Sequence, residues 1–253
     1  MMLENRIGLV VGVANEHSIA TGCARAFARE GSTLALTYMN DRALPHVRPV
    51  AEAVGASELM PLDLARSDQI DAVFDTIARR WGRLDFLLHS VAYCPKEDLH
   101  GRVVDCSEDG FAQAMDISCH SFLRLVRRAE PLMRDGGSLL TVSYYGAEKV
   151  VDHYNIMGPV KAALESVTQN VAAELGPRGI RANVLSPGPI ATRAASGIEG
   201  FDSLMQDARD HAASKRLVTI DEVGDVAAHL ASDRSSGVTG TIAYIDGGRH
   251  VRM

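Results

Sequence analysis

The amino-acid sequence predicts an α/β fold, a single domain whose seven-stranded parallel sheet carries helices on both faces. Short apolar runs alternate with helix-like segments along all 253 residues. Strands of a parallel sheet are buried on both faces and therefore appear as continuous apolar runs. The connections are short, and no linker, repeat or low-complexity stretch interrupts them, so we expect one domain over residues 1–253.

Seven apolar runs are predicted as strands. They lie at residues 6–12, 33–38, 59–62, 84–90, 136–143, 180–190 and 241–248. Helices are predicted between them, at residues 18–30, 43–54 and 67–81, after Ser107, around Tyr154 to Lys161, and after Thr219. Ser67 is expected to cap its helix. Thr219 and Glu222 have the spacing of a capping box.

Composition argues against several classes of function. Apolar residues make up 46% of the chain and charged residues 23%, with a formal net charge of −6. This charge predicts no basic surface for nucleic acid, and no run approaches the length of a membrane span. The four cysteines form no CxxC pair or metal-ligand spacing, so no metal is expected. Reduced thiols and the lack of a leader-like segment predict a cytoplasmic protein.

The functional residues are expected at one edge of the sheet. Parallel sheets of this kind bind ligands at the carboxyl ends of their strands, near the point where the strand order reverses. The residues at those ends are Gly12, Asp63, Ser90, Ser143 and Pro187. The sequence therefore predicts that side chains far apart in the chain meet there.

Tyr154 and Lys161 are the main candidates for chemistry, seven residues apart in a predicted helix. Seven steps of about 100° end about 20° short of two full turns, so both side chains lie on one face. A phenol beside an ammonium has its charged form favoured, and we expect it to donate a proton more readily to a developing oxyanion. The structural alternative is an amphipathic helix with a buried tyrosine and a lysine that reaches solvent.

The first turn runs from Gly12 to Gly22 and resembles a dinucleotide-binding loop, although it lacks the middle glycine of GxGxxG. Gly12 allows a tight turn, and Gly22 is expected to let the helix pack closely on the strand. Ser18 is expected at the helix N-terminus, where a pyrophosphate can bind. A glycine turn followed by a serine N-cap explains the same residues structurally.

Other residues at this edge leave alternatives open. Asp63 is expected either to bind an adenine amino group or to act as a turn residue. No acid lies at the end of the second strand and Arg42 is available for a 2′-phosphate, so spacing alone leaves NADH and NADPH open. We interpret His89 as a structural histidine. The loop 187–192 either wraps a nicotinamide, with Thr192 near phosphate, or is an ordinary surface loop.

In this order the motifs resemble those of the short-chain dehydrogenase/reductase superfamily. Most members place the tyrosine four residues before the lysine, a position held here by Met157. The seven-residue spacing is similar to that of bacterial enoyl-[acyl-carrier-protein] reductases of the FabI type. Also similar are the blocks SYYGAE with Tyr144, Gly12-Val-Ala, Ser18-Ile-Ala, HSVA and SPGPIAT, and the resemblance spans about residues 6–248.

The resemblance implies a Rossmann fold and the reduction of a trans-2-enoyl thioester in type II fatty-acid synthesis. Tyr154 would stabilise the enolate oxygen, Lys161 would hold the nicotinamide ribose, and Tyr144 would line the acyl pocket. Cys94 would also contact the substrate. The implied cofactor-binding residues are Gly12, Ser18, Ile19, Met39, Asp63, Leu64, Ser90, Val91, Ala92, Lys161, Ile190 and Thr192.

The resemblance also favours NADH, with NADPH not excluded, because Tyr38-Met39-Asn40-Asp41 is close to the Tyr-Gln-Asn-Asp of NADH-using relatives. It further implies a homotetramer with the C-terminal strand near a subunit interface. The expected substrate is carried by acyl carrier protein or by coenzyme A.

Three departures from the family pattern bear on the site. The loop after the fourth strand reads SVAYC, from Ser90 to Cys94, instead of Ser-Ile-Gly-Phe-Ala, and is expected to crowd the cofactor side. Pro159 lies within the predicted Tyr154 helix and is expected to bend it. The third departure lies in the helical segment near residues 193–216, which is expected to cover the substrate.

Relatives carry basic residues in that segment, which suit an acidic carrier protein, whereas this chain has Glu199, Asp202 and Ser203. Acid facing acid opposes docking. The nearby basic residues that are available as substitutes are Arg193, Arg209, Lys215 and Arg216.

Two other functions therefore stay open. One is the same hydride chemistry on a substrate without carrier protein, such as an enoyl-CoA or a carbonyl compound. The other is a non-catalytic nucleotide-binding protein, against which the intact pair of Tyr154 and Lys161 argues.

Overall fold

Seven parallel strands form one sheet in the computed structural model, which describes residues 1–192 and 200–252. The strands are β1 (Ile7–Val11), β2 (Thr33–Tyr38), β3 (Glu58–Pro61), β4 (Phe86–His89), β5 (Gly137–Val142), β6 (Ile180–Pro187) and β7 (Ile242–Ile245). Their order is β3-β2-β1-β4-β5-β6-β7, and each neighbouring pair is parallel. Every predicted strand is present, so the predicted fold class is confirmed.

The strand order reverses at the neighbours β1 and β4. Val11 pairs with His89 in this register, so the loops that follow these two strands leave the sheet side by side. Val142 pairs with Leu185 at the same edge. The carboxyl ends of β1, β4, β5 and β6 therefore lie next to one another, where open α/β sheets bind their ligands.

Helices cover both faces of the sheet. Within the described residues they are α1 (Ile19–Arg29), α2 (Leu44–Ala53), α3 (Ser67–Trp81), α4 (Lys96–Leu99), α5 (Glu108–Met115), α6 (Ser121–Ala129), α7 (Met157–Leu175), α8 (Phe201–His211) and α9 (Ile220–Ala231). A π-helical turn, Asp116–His120, joins α5 to α6. None of these helices combines the length and the apolar character that crossing a bilayer requires.

The central strands direct alternate side chains into two apolar cores, one on each face of the sheet. Leu9 and Leu87 pack on the face covered by α3, α6 and α7. Leu88 packs on the opposite face, where Phe27 of α1 meets Phe86 with ring centroids 4.7 Å apart. All five side chains are fully buried. Burying each one stabilises the fold by about 1.5–3 kcal/mol, which explains why these strands are apolar on both faces.

The predicted helix starts after Ser107 and Thr219 are correct, and the predicted cap at Ser67 is wrong. The Ser107 hydroxyl accepts a hydrogen bond from the amide three residues later at 3.0 Å. Thr219 and Glu222 form the predicted capping box at the start of α9. Ser67 is the first residue of α3 and not its cap, because Arg66 holds the extended backbone that precedes the helix.

The predicted helix around Tyr154 is wrong at its N-terminal end. Helix α7 begins at Met157, and Tyr154 lies in the turn before it. His153 (φ 62°) and Asn155 (φ 44°) flank Tyr154 in left-handed conformations. A right-handed helix excludes such residues, so Tyr154 and Lys161 do not lie on one continuous helical face.

Pro159 is the third residue of α7. The first four amides of a helix have no intrahelical acceptor, so a proline at this position removes no helical hydrogen bond. The reason for expecting a bend at Pro159 therefore does not apply.

Gly22 brings α1 close to α9, and not to the strand as predicted. A Cβ added at Gly22 would lie 2.1 Å from the carbonyl oxygen of Ile220, the first residue of α9. No side chain fits within that separation, so the close approach of the two helices requires glycine.

Gly22→Ala is expected to lower the free energy of unfolding by about 2–3 kcal/mol, because the added methyl must displace the backbone of α9. Chemical unfolding followed by circular dichroism measures this change. Gly176→Ala is the control, since Gly176 has helical backbone angles and no atom within 4 Å of an added Cβ. Its stability is expected to stay the same or to rise slightly. Equal stabilities of the two variants would contradict the close contact.

Candidate active site

The carboxyl ends of the four central strands enclose a cavity of about 320 Å³. The predicted site residues that line it are Gly12, Ser18, Ile19, Ser90, Val91, Ala92, Cys94, Tyr144, Tyr154, Lys161, Ile190 and Thr192. They come from the loops after β1, β4, β5 and β6 and from the helices α1 and α7. The apolar lining residues that the sequence analysis did not assign to the site include Leu99, Val142, Met157, Phe201 and Leu204.

Three predicted residues lie at the same edge of the sheet but outside this cavity. Met39 follows β2 and exposes 58% of its surface. Asp63 and Leu64 follow β3, and the Asp63 carboxylate accepts a hydrogen bond from the Ala65 amide at 3.0 Å. This turn contact matches the structural interpretation of Asp63. Only a ligand that extends along the sheet edge reaches both the cavity and these three residues.

Gly12 and Ser18 shape the loop after β1. Gly12 has a φ of 106°, and an added Cβ would lie 1.9 Å from the Ser90 carbonyl oxygen, so only glycine fits there. Ser18 occupies the N-cap position of α1. Its hydroxyl donates to the Asn15 carbonyl at 2.9 Å and, among the described residues, accepts no hydrogen bond from the first amides of the helix. The positive end of the helix dipole therefore borders the cavity, which fits the pyrophosphate of a dinucleotide.

Tyr154 and Tyr144 pack edge to face at the cavity wall, with ring centroids 4.9 Å apart and planes at 68°. Tyr154 is 8% exposed. Its hydroxyl makes no hydrogen bond within residues 1–192 and 200–252. Since both rings line the cavity, the Tyr154 hydroxyl is available to a ligand.

Burial raises the pKa of Tyr154, with smaller contributions from Tyr144 and Glu165. Burial likewise raises the pKa of Tyr144 to about 12. The expectation that Lys161 favours the charged form of Tyr154 is therefore wrong for this structure. Desolvation of the phenol dominates, and both tyrosines are protonated hydrogen-bond donors at neutral pH.

Lys161 is buried and holds the ends of two strands together. Its ammonium donates to the Val142 carbonyl at 2.7 Å, at the end of β5, and to the Val91 carbonyl at 3.3 Å, just after β4. Burial lowers the pKa of Lys161 to about 8, while Cys119 and Glu165 act in the opposite direction. The Lys161 ammonium thus lies at the wall of the cavity, and its protonation depends on the neighbouring groups.

Ser143 and Glu165 form a buried polar pair that the sequence interpretation missed. The Ser143 hydroxyl donates to the Glu165 carboxylate at 2.5 Å. The two residues are 3% and 7% exposed, and burial raises the pKa of Glu165. The sequence does place Glu165 near the site, because an acid four residues after Lys161 lies on the same face of a helix, but it does not indicate the contact with Ser143.

The π-helical turn places Ser118 against the loop that leads to Cys94. The Ser118 hydroxyl accepts a hydrogen bond from the Tyr93 amide at 2.8 Å and donates to the Tyr93 carbonyl at 2.9 Å. Ser118 is fully buried. Both hydrogen-bonding groups of one loop residue are therefore fixed by a single side chain, which the sequence interpretation also missed.

His89 is a structural residue, as interpreted from the sequence. Its ring nitrogens lie 2.9 Å from the Thr141 hydroxyl and 2.8 Å from the Ser121 hydroxyl, and the side chain is fully buried. Burial and the charge of Lys161 lower the pKa of His89 to about 3, so the ring is neutral. Across the described ranges, no three His, Cys, Asp or Glu side chains converge as metal ligands.

Helix α8 borders the cavity through Phe201 and Leu204. Asp202 and Ser203 are exposed on the same helix. Glu199, which the sequence analysis grouped with them, lies outside the described residues.

The basic residues near α8 already have partners. Arg209 donates to a side chain of its own helix at 3.1 Å, and Lys215 donates to a backbone carbonyl near the end of that helix at 2.6 Å. Arg216 pairs with Glu222 at 2.6 Å. Arg193 lies outside the described residues. Of the three described basic residues, only Arg216 is neutralised by a carboxylate, whereas Arg209 and Lys215 donate to uncharged groups and keep their positive charge near α8.

Comparison with known proteins agrees with this architecture. The family model described as enoyl-(acyl carrier protein) reductase matches residues 12–250. The chain is 46% identical to the enoyl-[acyl-carrier-protein] reductase [NADH] 1 of Rhizobium meliloti (strain 1021), over 98% of this chain and 92% of the relative.

Two solved structures are similar over almost their whole length. An enoyl-(acyl-carrier-protein) reductase from Anaplasma phagocytophilum in complex with NAD has a TM-score of 0.96 and 43% identity, covering 99% of this chain and 96% of that one. The Bacillus cereus enoyl-acyl carrier protein reductase with NADP⁺ and indole naphthyridinone has a TM-score of 0.97 and 38% identity, covering 100% and 99%.

The raised pKa of Tyr154 predicts that this phenol stays protonated when exposed tyrosines ionise. A spectrophotometric titration of Tyr154→Phe is therefore expected to match that of the wild type up to pH about 11, within the range where both proteins stay folded. Circular dichroism at each pH establishes that range. An amplitude smaller by one tyrosine below pH about 10 would show instead that Tyr154 ionises readily.

Proposed function

The chain belongs to the enoyl-[acyl-carrier-protein] reductase family, and we propose that it reduces a trans-2-enoyl thioester to the saturated acyl thioester with NADH. The observation that carries this function is the meeting of Tyr154, Tyr144 and Lys161 in one cavity at the carboxyl ends of the strands. Near-full-length relatives named as NADH-dependent enoyl-[acyl-carrier-protein] reductases support it. The protein is thus an oxidoreductase of fatty-acid synthesis.

The residues at this sheet edge would hold NADH, which would supply the hydride for the β-carbon of the enoyl group. The pyrophosphate fits the N-terminus of α1 beside Gly12 and Ser18, because the helix dipole and free amides favour an anion there. We assign the nicotinamide end to the cavity walls. The residues proposed to contact it or its ribose are Ile19, Ser90, Val91, Ala92, Lys161, Ile190 and Thr192.

We propose that the adenosine end would be held near β2 and β3. Met39, Asp63 and Leu64 are the residues proposed to meet it, since they lie at the same edge beyond the cavity. No acidic side chain stands at the end of β2. Selection of NADH over NADPH therefore rests on contacts other than a carboxylate that binds the ribose.

Tyr154 is the proposed oxyanion donor. When the β-carbon accepts hydride, negative charge develops on the thioester oxygen, and a hydrogen bond from a protonated phenol stabilises it. The Tyr154 hydroxyl is available in the cavity, and burial keeps it protonated. A donor in a dry site interacts more strongly with this charge than one in water.

Lys161 supplies the positive charge of the site. We propose that its ammonium also binds the nicotinamide ribose hydroxyls, with the Val142 and Val91 carbonyls fixing its direction. Protonation is required for both roles. Since the pKa of Lys161 in the free protein is about 8, coenzyme binding is expected to weaken as the pH rises above that value.

The acyl chain lies against the apolar side of the cavity. Tyr144 and Cys94 are the proposed substrate contacts from β5 and the β4 loop, and Met157, Phe201 and Leu204 continue the apolar wall. We propose that α8, within the segment expected near residues 193–216, covers this side of the cavity. An apolar enclosure of this kind suits a hydrocarbon chain.

We further propose that the protein is a cytoplasmic homotetramer in which residues 1–253 form one coenzyme-binding domain. Strand β7 supports an assembly, because it is the last strand of the sheet and is only half-buried along its length. The cysteines are all free thiols, which fits a reducing compartment.

Tyr154→Phe is expected to lower turnover of an enoyl thioester by about 100-fold or more, because the oxyanion loses its donor. NADH oxidation measured at 340 nm with crotonyl-CoA or crotonyl-[acyl-carrier-protein] tests this. NADH affinity, measured by fluorescence, is expected to stay the same. Tyr145→Phe is the matched control, since Tyr145 does not line the cavity and its ring contacts Arg249. Wild-type protein that binds NADH without turning over any enoyl thioester would support the non-catalytic alternative instead.

The acidic character of α8 favours one second candidate, the same reaction on a thioester without carrier protein. Comparing kcat/KM for crotonyl-[acyl-carrier-protein] and crotonyl-CoA separates the two, and equal or higher efficiency with crotonyl-CoA would favour the second.

If carrier protein is the partner, Asp202→Lys is expected to raise kcat/KM for crotonyl-[acyl-carrier-protein] about 3-fold or more at low salt, because the repulsion between Asp202 and the acidic carrier protein is removed.

The neutral thioester crotonyl-N-acetylcysteamine is the substrate control for Asp202→Lys, and its kcat/KM is expected to stay unchanged. Asp75→Lys is the protein control, because Asp75 is exposed on α3 and does not line the cavity. A similar gain from Asp75→Lys would attribute the effect to net charge instead of docking at α8.

A further inference from the structure

Two polar contacts tie the end of β5 to α7. The Lys161 ammonium donates to the Val142 carbonyl at 2.7 Å, and the next residue, Ser143, donates from its hydroxyl to Glu165 at 2.5 Å. Lys161 and Glu165 lie on successive turns of one helical face. Neighbouring residues of the strand end are therefore held by neighbouring turns of the helix.

The contact to Glu165 fixes the chain just before Tyr144. Ser143 is also held from the other side, where its amide donates to the Leu185 carbonyl of β6 at 2.8 Å. Tyr144 then continues in extended backbone (φ −153°, ψ 149°) and packs against Tyr154. The position of the Tyr144 ring in the cavity thus depends on how Ser143 is anchored.

Glu165 is also the acidic group nearest in sequence to Lys161 on its own helix. A buried carboxylate is unfavourable unless charged or polar partners offset its desolvation, and here the partners are the Ser143 hydroxyl and the positive Lys161. Other groups that act on Glu165 or feel its charge are Glu148, Tyr154 and Tyr244.

Few described groups change the pKa of Lys161. Cys119 of the π-helical turn and Glu165 favour its charged form, while burial opposes it. His89 of β4 also feels the charge of Lys161, but its ring is neutral. Glu165 is therefore the only carboxylate among the described groups that acts on this ammonium.

We propose that Glu165 is a positioning residue with two separable effects: through Ser143 it fixes Tyr144 at the acyl side, and its carboxylate keeps Lys161 protonated. The proposal rests on the proposed reductase function for its effect on turnover. Its effect on coenzyme binding can be measured without turnover.

The two effects predict different outcomes for two substitutions. Glu165→Gln keeps an oxygen that can accept from Ser143 but removes the charge, so Lys161 loses its proton at lower pH. Ser143→Ala removes the tie to Tyr144 but keeps the Glu165 carboxyl group; because the Ser143 hydroxyl lowers the pKa of Glu165, the charge effect is compared at alkaline pH. Charge and position are therefore tested one at a time.

The experiment measures NADH affinity by fluorescence between pH 6 and 10, and kcat and KM for crotonyl-CoA at pH 7. For Glu165→Gln, the alkaline midpoint of NADH binding is expected to fall by about half a pH unit or more, with KM close to the wild type. For Ser143→Ala, KM is expected to rise several-fold, with the alkaline midpoint unchanged. Glu174→Gln, on the exposed face of α7, is the control and is expected to change neither.

Each half of the proposal has its own contradicting result. An unchanged alkaline midpoint in Glu165→Gln would overturn the role of the charge. An unchanged KM in Ser143→Ala would overturn the positional role, and this holds even if Glu165→Gln does not fold. If the wild type shows no turnover at all, the proposed function fails, while the pH dependence of NADH binding still decides the role of Glu165.

Discussion

The buried ammonium of Lys161 is the interaction on which the site depends. It binds one carbonyl at the end of β5 and one just after β4, so a single cation connects these two strands to α7, beside the point where the strand order reverses. Taking an ion out of water costs several kcal/mol, and good hydrogen bonds must offset that cost. The two carbonyls and the acid one turn later provide such partners. The groups that hydrogen-bond this buried ammonium therefore also determine the shape of the cavity.

Burial has opposite effects on the acidity of the phenol and of the ammonium in the site. It makes Tyr154 a weaker acid and Lys161 a stronger one, because in each case the neutral form gains in a dry environment. A phenol that keeps its proton can donate a hydrogen bond throughout the rise of negative charge on the substrate. The arrangement thus favours electrostatic stabilisation by a fixed donor over early proton transfer.

Much of the fold could be predicted from the sequence, because buried parallel strands are apolar runs and the cap of α9 is encoded within four residues. The convergence of the site residues followed from topology. The start of α7 could not be predicted, because the left-handed backbone at Asn155 does not change the spacing of apolar residues in the sequence. The partners of Ser118 and Ser143 also escaped prediction, because they lie more than twenty residues away in the chain.

The π-helical turn Asp116–His120 sets how this region tolerates changes in length. Its wider turn lets Ser118 reach the Tyr93 loop while Ser121 reaches His89, so two hydroxyls three positions apart hold the end of β4 and the loop that follows it. Deleting one residue here would rotate everything beyond it by about 100° about the helix axis. Either the loop or the strand would then lose its hydroxyl. The two hydroxyl contacts therefore fix the number of residues in this segment.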